Sequence, residues 1–157
     1  MIIRQAIESD AAALAYLLDQ IALMHAAKRP DIFKKGVRKY NDREINELIK
    51  DDYNKIFVAV IEENVVGYIF TAIDQEDDPA SNFTDIKNLY IDDLCVDEHY
   101  QNRGIGRALM NKAKEYAKSI NCKRVTLNVW ALNPSALSFY ESNDFKPYKY
   151  CMEYCLD

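Results

Sequence analysis

Asp92 and Asp93 stand side by side inside the otherwise apolar run Leu89–Val96, and a few residues later the chain passes through Gln101, Asn102, Arg103, Gly104, Ile105, Gly106 and Arg107 into a helix. The two features suit different chemistry. Carboxylates can hold an ammonium group or take its proton. Glycines at 104 and 106 let the backbone come close to a ligand and expose its amide N–H groups. The positive end of the following helix dipole favours an anion at the same place. Gln101, Asn102, Arg103 and Arg107 add donors. A pyrophosphate suits this set, and a plain strand-to-helix turn is the alternative. Two phosphate motifs do not apply. The dinucleotide fingerprint needs Gly or Ala where this chain has Leu109, and no GxxxxGK[ST] string occurs.

The elements that must carry these groups follow from periodicity. Residues 2–7 read as a first strand, and Asp10 as the cap of a helix to about residue 27 with Leu14, Leu17, Leu18, Ile21 and Met24 on one face. Pro30 interrupts it. A second helix over about 42–52 carries Ile45, Leu48 and Ile49. The run 55–73 reads as a hairpin turning at Glu62, Glu63 and Asn64. An acidic loop at 74–83 leads to the strand of the acidic pair, expected over about 87–96. The glycine loop opens a helix with Leu109, Ala113, Tyr116, Ala117 and Ile120 inward. A strand over 124–130, a short helix entered through Asn133 and Pro134, and a closing strand over 148–156 complete the chain. On a regular strand Asp92 and Asp93 would face opposite sides, so one of them is expected at a given site.

The string Val96–Leu109, with its Gln101-Asn102-Arg103-Gly104-Ile105-Gly106 core, resembles the acetyl-CoA-binding motif Q/R-x-x-G-x-G/A of the GCN5-related N-acetyltransferases (GNAT). Asn133–Phe145 is similar to that family's second signature, N-x-x-A-x-x-F-Y-x-x-x-G-F, with Asp144 in place of its glycine. Asp also tolerates the left-handed turn that a glycine there would serve. The element order β-α-α-β-β-β-α-β-α-β-β matches as well, so the resemblance covers nearly the whole chain. It implies a mixed α+β fold in one domain, residues 1–157. The expected sheet is mostly antiparallel and twisted, with six to seven strands, a splayed parallel central pair and about four helices. Within the family, the stretch Tyr90–Val96 looks most like the polyamine and small-amine branch.

The resemblance also implies roles. Acetyl-CoA would be the co-substrate, with no metal. Leu94, Cys95 and Val96 would pair with its pantetheine arm, Gln101–Gly106 would hold the pyrophosphate, and Asn133, Ala136 and Phe139 would line its groove. Tyr140 would act as general acid, because a phenol of pKa ~10 keeps its proton at pH 7 and can give it to a departing thiolate. A lysine-like acceptor amine of pKa ~10.4 must lose a proton first, at a cost of about 4–5 kcal/mol at pH 7. Asp92 is expected to take that proton, with Asp93, His25, Phe33 and Trp130 as further acceptor-side candidates. Small-molecule amines and peptide amines (N-termini or lysines) both remain as acceptors, and a non-catalytic CoA-binding module is the alternative class.

Composition sets bounds on partners. A net charge of −5 disfavours nucleic acid and anionic membranes. The run 56–61 is far shorter than the ~20 residues of a membrane span, and residues 1–10 carry charges where a secretion signal would be apolar. The four cysteines, Cys95, Cys122, Cys151 and Cys155, form no CxxC, and His25 and His99 lie far apart. Reduced thiols in a cytoplasmic homodimer, with no zinc site, are expected.

Overall fold

A computed structural model describes residues 1–75, 80–82 and 84–156. Residues 76–79 and 83, within the expected acidic loop, lie outside them. In chain order the elements are β1 (Ile2–Gln5), α1 (Ala11–Lys28), α2 (Asp42–Ile49), β2 (Ile56–Ile61), β3 (Asn64–Asp74), β4 (Asn88–Val96), α3 (Ile105–Ser119), β5 (Arg124–Leu127) and α4 (Pro134–Glu141). Short 3-10 turns, Glu8–Asp10 and Glu98–Tyr100, precede α1 and follow β4. The strands form one sheet in sequence order, antiparallel except for the parallel pair β4–β5.

Period-two alternation gives this sheet two apolar faces. Phe57 and Ala59 pack with Ile69, Leu89, Leu109, Met110 and Ala113 under α3. Ile56 and Val58 pack with Leu14, Leu17, Leu18, Ile45 and Ile49 under α1 and α2. Of the 3.6-residue stripes expected from the sequence, Leu14, Leu17, Leu18, Ile45, Ile49, Leu109, Ala113 and Ala117 are buried, while Ile21, Met24, Leu48, Tyr116 and Ile120 are only partly so; full burial of one such leucine stabilises by ~1.5–3 kcal/mol. The β2–β3 hairpin turns through Glu62 and Glu63, both at positive φ (49° and 67°), the pairing that matches strand twist in a two-residue turn.

Three expectations need correction. Asp10 does not cap α1 through its side chain. Its buried carboxylate accepts from Arg4 at 2.6 and 2.9 Å and from the Ile7 N–H at 2.8 Å, tying β1 to the start of α1. The strand expected over 124–130 ends at Leu127, and five strands rather than six or seven are present among the described residues. The run 148–156 has the pattern of a strand but does not pair: among the described residues no backbone hydrogen bond is made by 146–156. A strand exists only as part of a ladder, so pattern without partner leaves it uncounted.

Candidate active site

The site begins at an irregularity in β4. Phe70 pairs with Asp93 and Thr71 with Ile91, so Asp92 is an extra residue without a partner on β3. This is a β-bulge, which re-aims the side chains beside it. Ile91 and Leu94 face the α3 side, whereas both carboxylates face the α1–α2 side. The expected alternation of Asp92 and Asp93 therefore fails. Lys39 Nζ reaches Asp92 Oδ1 at 2.7 Å and its carbonyl oxygen at 2.9 Å, and the Tyr40 hydroxyl donates to Asp92 Oδ2. Tyr68 Oη donates to Asp93 at 3.3 Å, and the Leu94 N–H donates at 2.9 Å. Tyr40, Phe70 and Tyr68 continue as a run of rings, with centroids 5.5 and 5.0 Å apart.

Burial pushes Asp93 up to about 6, and the Asp92 charge adds to the rise, while Lys39 and the two hydrogen bonds oppose it. Burial likewise pushes Tyr140 up to about 12, with Asp93 and Tyr90 contributing. Tyr140 thus keeps its proton at neutral pH. It is held edge-on against Phe139 and Phe145, at 5.3 and 6.1 Å. Asp144, at φ 69°, makes the left-handed turn that lets Phe145 fold back, with its N–H on the Tyr140 carbonyl at 3.1 Å. The aspartate does fill the glycine's conformational role.

Just past the bulge, β4 and β5 part. Their parallel register runs from Asn88–Arg124 to Ile91–Leu127 and stops there. The β5-facing edge of Leu94, Cys95 and Val96 is left without a strand, open to an extended ligand that could add to it. Cys95 offers no nucleophile: its buried thiol is pushed up to about 12, with Asp93 and Asp97 adding, and lies 3.7 Å from the Leu17 carbonyl.

This open edge leads straight to the glycine loop. Asn102 and Gly104 have positive φ, 62° and 78°. The first helical bond of α3 is from the Ala108 N–H to the Gly104 carbonyl at 3.0 Å, so the amides of Ile105, Gly106 and Arg107 have no acceptor within the helix. Gln101 and Arg103 spend their side chains on the loop itself. Gln101 Nε2 donates to the Val96 carbonyl at 3.1 Å, and Arg103 Nη2 donates to the His99 carbonyl at 3.1 Å with its guanidinium over Tyr100. Arg107 and Asn102 are exposed beside the amides. Gly106 has a packing reason as well: a Cβ there would meet the Phe139 ring at 3.1 Å. Asn133 caps α4, accepting from the Ala136 N–H at 3.4 Å.

The remaining acceptor-side candidates, His25, Phe33 and Trp130, form one ring cluster. His25 lies 4.9 Å from Phe33, which meets Trp130 edge-on at 5.2 Å. Burial lowers the His25 pKa, and Lys28 and Lys39 lower it further. The sequence reading missed Lys39, Tyr40 and Tyr68. They lie far from the motifs along the chain, and only the fold brings them to the bulge.

A split strand pair whose open edge runs into an amide-lined helix start is the cradle of a transferase that seats an extended acyl carrier. Residues 21–145 match the Acetyltransferase (GNAT) family, and the chain belongs to it. It is therefore an acetyltransferase, with acetyl-CoA as the acyl donor. Over 161 aligned residues it is 30% identical to the uncharacterised N-acetyltransferase YhfO of Bacillus subtilis, covering 100% of this chain and 97% of that one. A mutant of the BH1408 protein from Bacillus halodurans superposes with a TM-score of 0.94 at 30% identity, over 99% of both chains. The aminoglycoside N-acetyltransferase AAC(6')-Iy, solved with CoA, shares the fold at 13% identity, with a TM-score of 0.73 over 99% of both chains.

Proposed function

We propose that the protein moves the acetyl group of acetyl-CoA onto a primary amine by direct attack, with Asp93 receiving the amine's proton and Tyr140 returning one to the departing thiolate. The observation that supports this most is the opening of the β4–β5 pair at the bulge that carries Asp92 and Asp93, on the same strand that leads into the glycine loop. A carboxylate near pKa 6 is ionised at pH 7 yet more basic than an ordinary aspartate. Tyr140, held protonated, is suited to the opposite transfer. Asp92, first expected as the base, already carries Lys39 and Tyr40 on its two oxygens. Its role in this reading is to attract and orient the acceptor's ammonium. His25, Phe33 and Trp130 wall the acceptor's path, and Leu94–Val96 with the amides of Gln101–Gly106 take the CoA arm. The acidic pair favours a cationic acceptor, whether a small amine or a peptide amine.

The test is CoA release across a panel of polyamines, aminoglycosides and lysine- or N-terminus-bearing peptides. At least one cationic amine should turn over, and both Asp93→Asn and Tyr140→Phe should slow it. Turnover confined to neutral acceptors, or untouched by both substitutions, would reject the reading. We further propose a cytoplasmic homodimer. Four free thiols, two of them exposed, suit a reducing compartment. No helix among the described residues is long and apolar enough to cross a membrane.

A further inference from the structure

Lys39 brings an amine of the chain's own to the acidic pair. Its Nζ donates to Asp92 Oδ1 at 2.7 Å and to the Asp92 carbonyl oxygen at 2.9 Å, so the ammonium lies on the bulge itself. Among the described residues it is the only lysine ion-paired with either carboxylate. Its neighbours in the chain fix this placement. Arg38 bonds to Asp19 on α1 at 3.5 Å and to Asp42 at the start of α2. The Tyr40 ring stacks on Phe70 at 5.5 Å, and its hydroxyl donates to the second oxygen of Asp92. The segment between α1 and α2 is therefore pinned on both sides of Lys39.

Stability does not account for the pair. The Lys39 side chain is 45% exposed, and an ion pair in that setting contributes little after screening and side-chain ordering. Its ammonium is thus held at the acidic pair yet easily released. In the catalytic reading, Asp92 orients the acceptor's ammonium, Asp93 takes its proton and Tyr140 supplies one to the thiolate. Lys39 already meets the first of these conditions. Because it is attached to the chain, its effective concentration at the site is on the order of mM or higher, whatever the concentration of the protein.

We propose that the protein acetylates its own Lys39, an inference that rests on the catalytic reading. The Lys39 ammonium loses two protons. One goes to Asp93 before attack and passes on to solvent. Nζ then attacks the thioester carbonyl carbon, the N–C bond forms and the C–S bond breaks. The second proton leaves as the amide forms, and it makes good the one that Tyr140 gives to the departing sulfur. The products are one acetyl-lysine and one free CoA, and acetyl-CoA is the only other reactant. The acetylated side chain carries no charge. Asp92 then loses the cation that now holds it and is open to the ammonium of a free acceptor.

In the experiment the full chain is incubated with acetyl-CoA and no added amine, and acetyl-lysine is followed by peptide mass spectrometry. Lys39 should gain its acetyl group in a first-order course whose rate constant does not change with protein concentration. Lys50, paired with Glu8 and 63% exposed, is the internal control for uncatalysed acetylation. It should lag Lys39 by ~10²-fold or more, and Tyr140→Phe and Asp93→Asn should slow Lys39 but not Lys50. Lys39→Arg, which keeps a cation on Asp92, should lose the single equivalent of CoA released without an amine. Lys50 modified as fast as Lys39, or a Lys39 rate untouched by both substitutions, would mean uncatalysed chemistry. A rate constant that rises with protein concentration would mean that one copy modifies another. An unmodified Lys39 in a chain that turns over free amines would overturn self-acetylation and leave the catalytic reading standing. An unmodified Lys39 with no amine turned over would remove both. Each of these decides against the proposal, and the wild-type course is sufficient if a variant fails to fold.

Discussion

Asp93→Asn is expected to make the protein more stable and less active at once. The fold raises the Asp93 carboxyl from its ordinary 3.8 to about 6, through burial first and the neighbouring Asp92 charge second. A raised carboxyl means that the folded chain holds a proton that the unfolded chain has released. Between about pH 4 and 6 the native state therefore binds more protons, and stability falls as pH rises through that window. Above pH 6 the full cost of the buried charge is present. Two pH units at about 1.36 kcal/mol each set an upper limit near 3 kcal/mol, and partial solvent contact reduces this to about 2. Asparagine keeps the size, and its Oδ1 can still accept from the Leu94 N–H that now reaches Asp93 at 2.9 Å. The charge, and with it the cost, is gone. For a chain of this length ~1 kcal/mol moves Tm by ~2–4 °C, so the variant should melt roughly 4–8 °C higher at pH 8. At pH 4 the two proteins should melt together, because the aspartate is then neutral as well.

Activity should move the other way. In the wild type kcat/KM should fall as pH drops through about 6, and Asp93→Asn should be slow at every pH without that limb. Loss of thioester absorbance is the suitable readout, because exposed Cys151 and Cys155 would consume a thiol reagent. Thermal melts at pH 4 and 8 supply the other half. If the variant gains no stability at pH 8, or if the wild type is no more stable at pH 4–5 than the proton balance of the variant allows, the buried charge is not where this reasoning puts it.

Tyr140→Phe should leave acetyl-CoA binding intact and slow turnover by ~10²–10⁴-fold, as single-turnover rates and isothermal titration would show. Asp92→Asn, which removes the charge that now holds Lys39 and Tyr40, should raise the acceptor KM and spare acetyl-CoA affinity; unchanged KM for every cationic amine would make the residue purely structural. Gly104→Ala adds a Cβ with nothing within 4 Å, so its penalty comes from φ +78° alone. A loss of ~1–2 kcal/mol in denaturant melts, together with a smaller melting shift on adding acetyl-CoA, is expected.

Much of the fold was legible because its signals are local. The stripes Leu14–Leu17–Leu18 and Leu109–Ala113–Ala117 repeat at helical spacing and are buried where the helices meet the sheet. The glycine loop was legible as a strand-to-helix turn because its two glycines and the helix start are contiguous in the chain. What the sequence hid was every feature defined by a distant partner. Asp10 looks like a cap from its neighbours, and only Arg4 across the turn shows otherwise. The alternation of 148–156 was read as a strand, and no ladder forms there among the described residues, because a pattern does not supply a partner. Lys39 and Tyr40 give no sign on a loop that they will meet Asp92, 53 and 52 residues away.

The bulge is the sharpest case, because it changes chemistry through a single residue of register. Without the extra residue, strand alternation would send Asp92 and Asp93 to opposite faces, one of them into the apolar layer under α3. With it, both reach the α1–α2 side, where Lys39 is close enough to act on both. The two carboxyls then stop being equivalent. Asp92 is the outer one and is ion-paired; Asp93 is enclosed, and its proton affinity rises through burial first, with the Asp92 charge adding to it. In the proposed mechanism, a pair driven apart in this way would supply an anchor for a cation and a base near neutrality from one dipeptide. The same irregularity coincides with the end of the β4–β5 ladder, which opens the edge an acyl carrier needs. On the proposed reading, donor groove and acceptor acids share one cause. A chain with the same two aspartates in an unbulged β4 would be expected to keep the glycine loop and its pyrophosphate affinity, yet lose amine transfer.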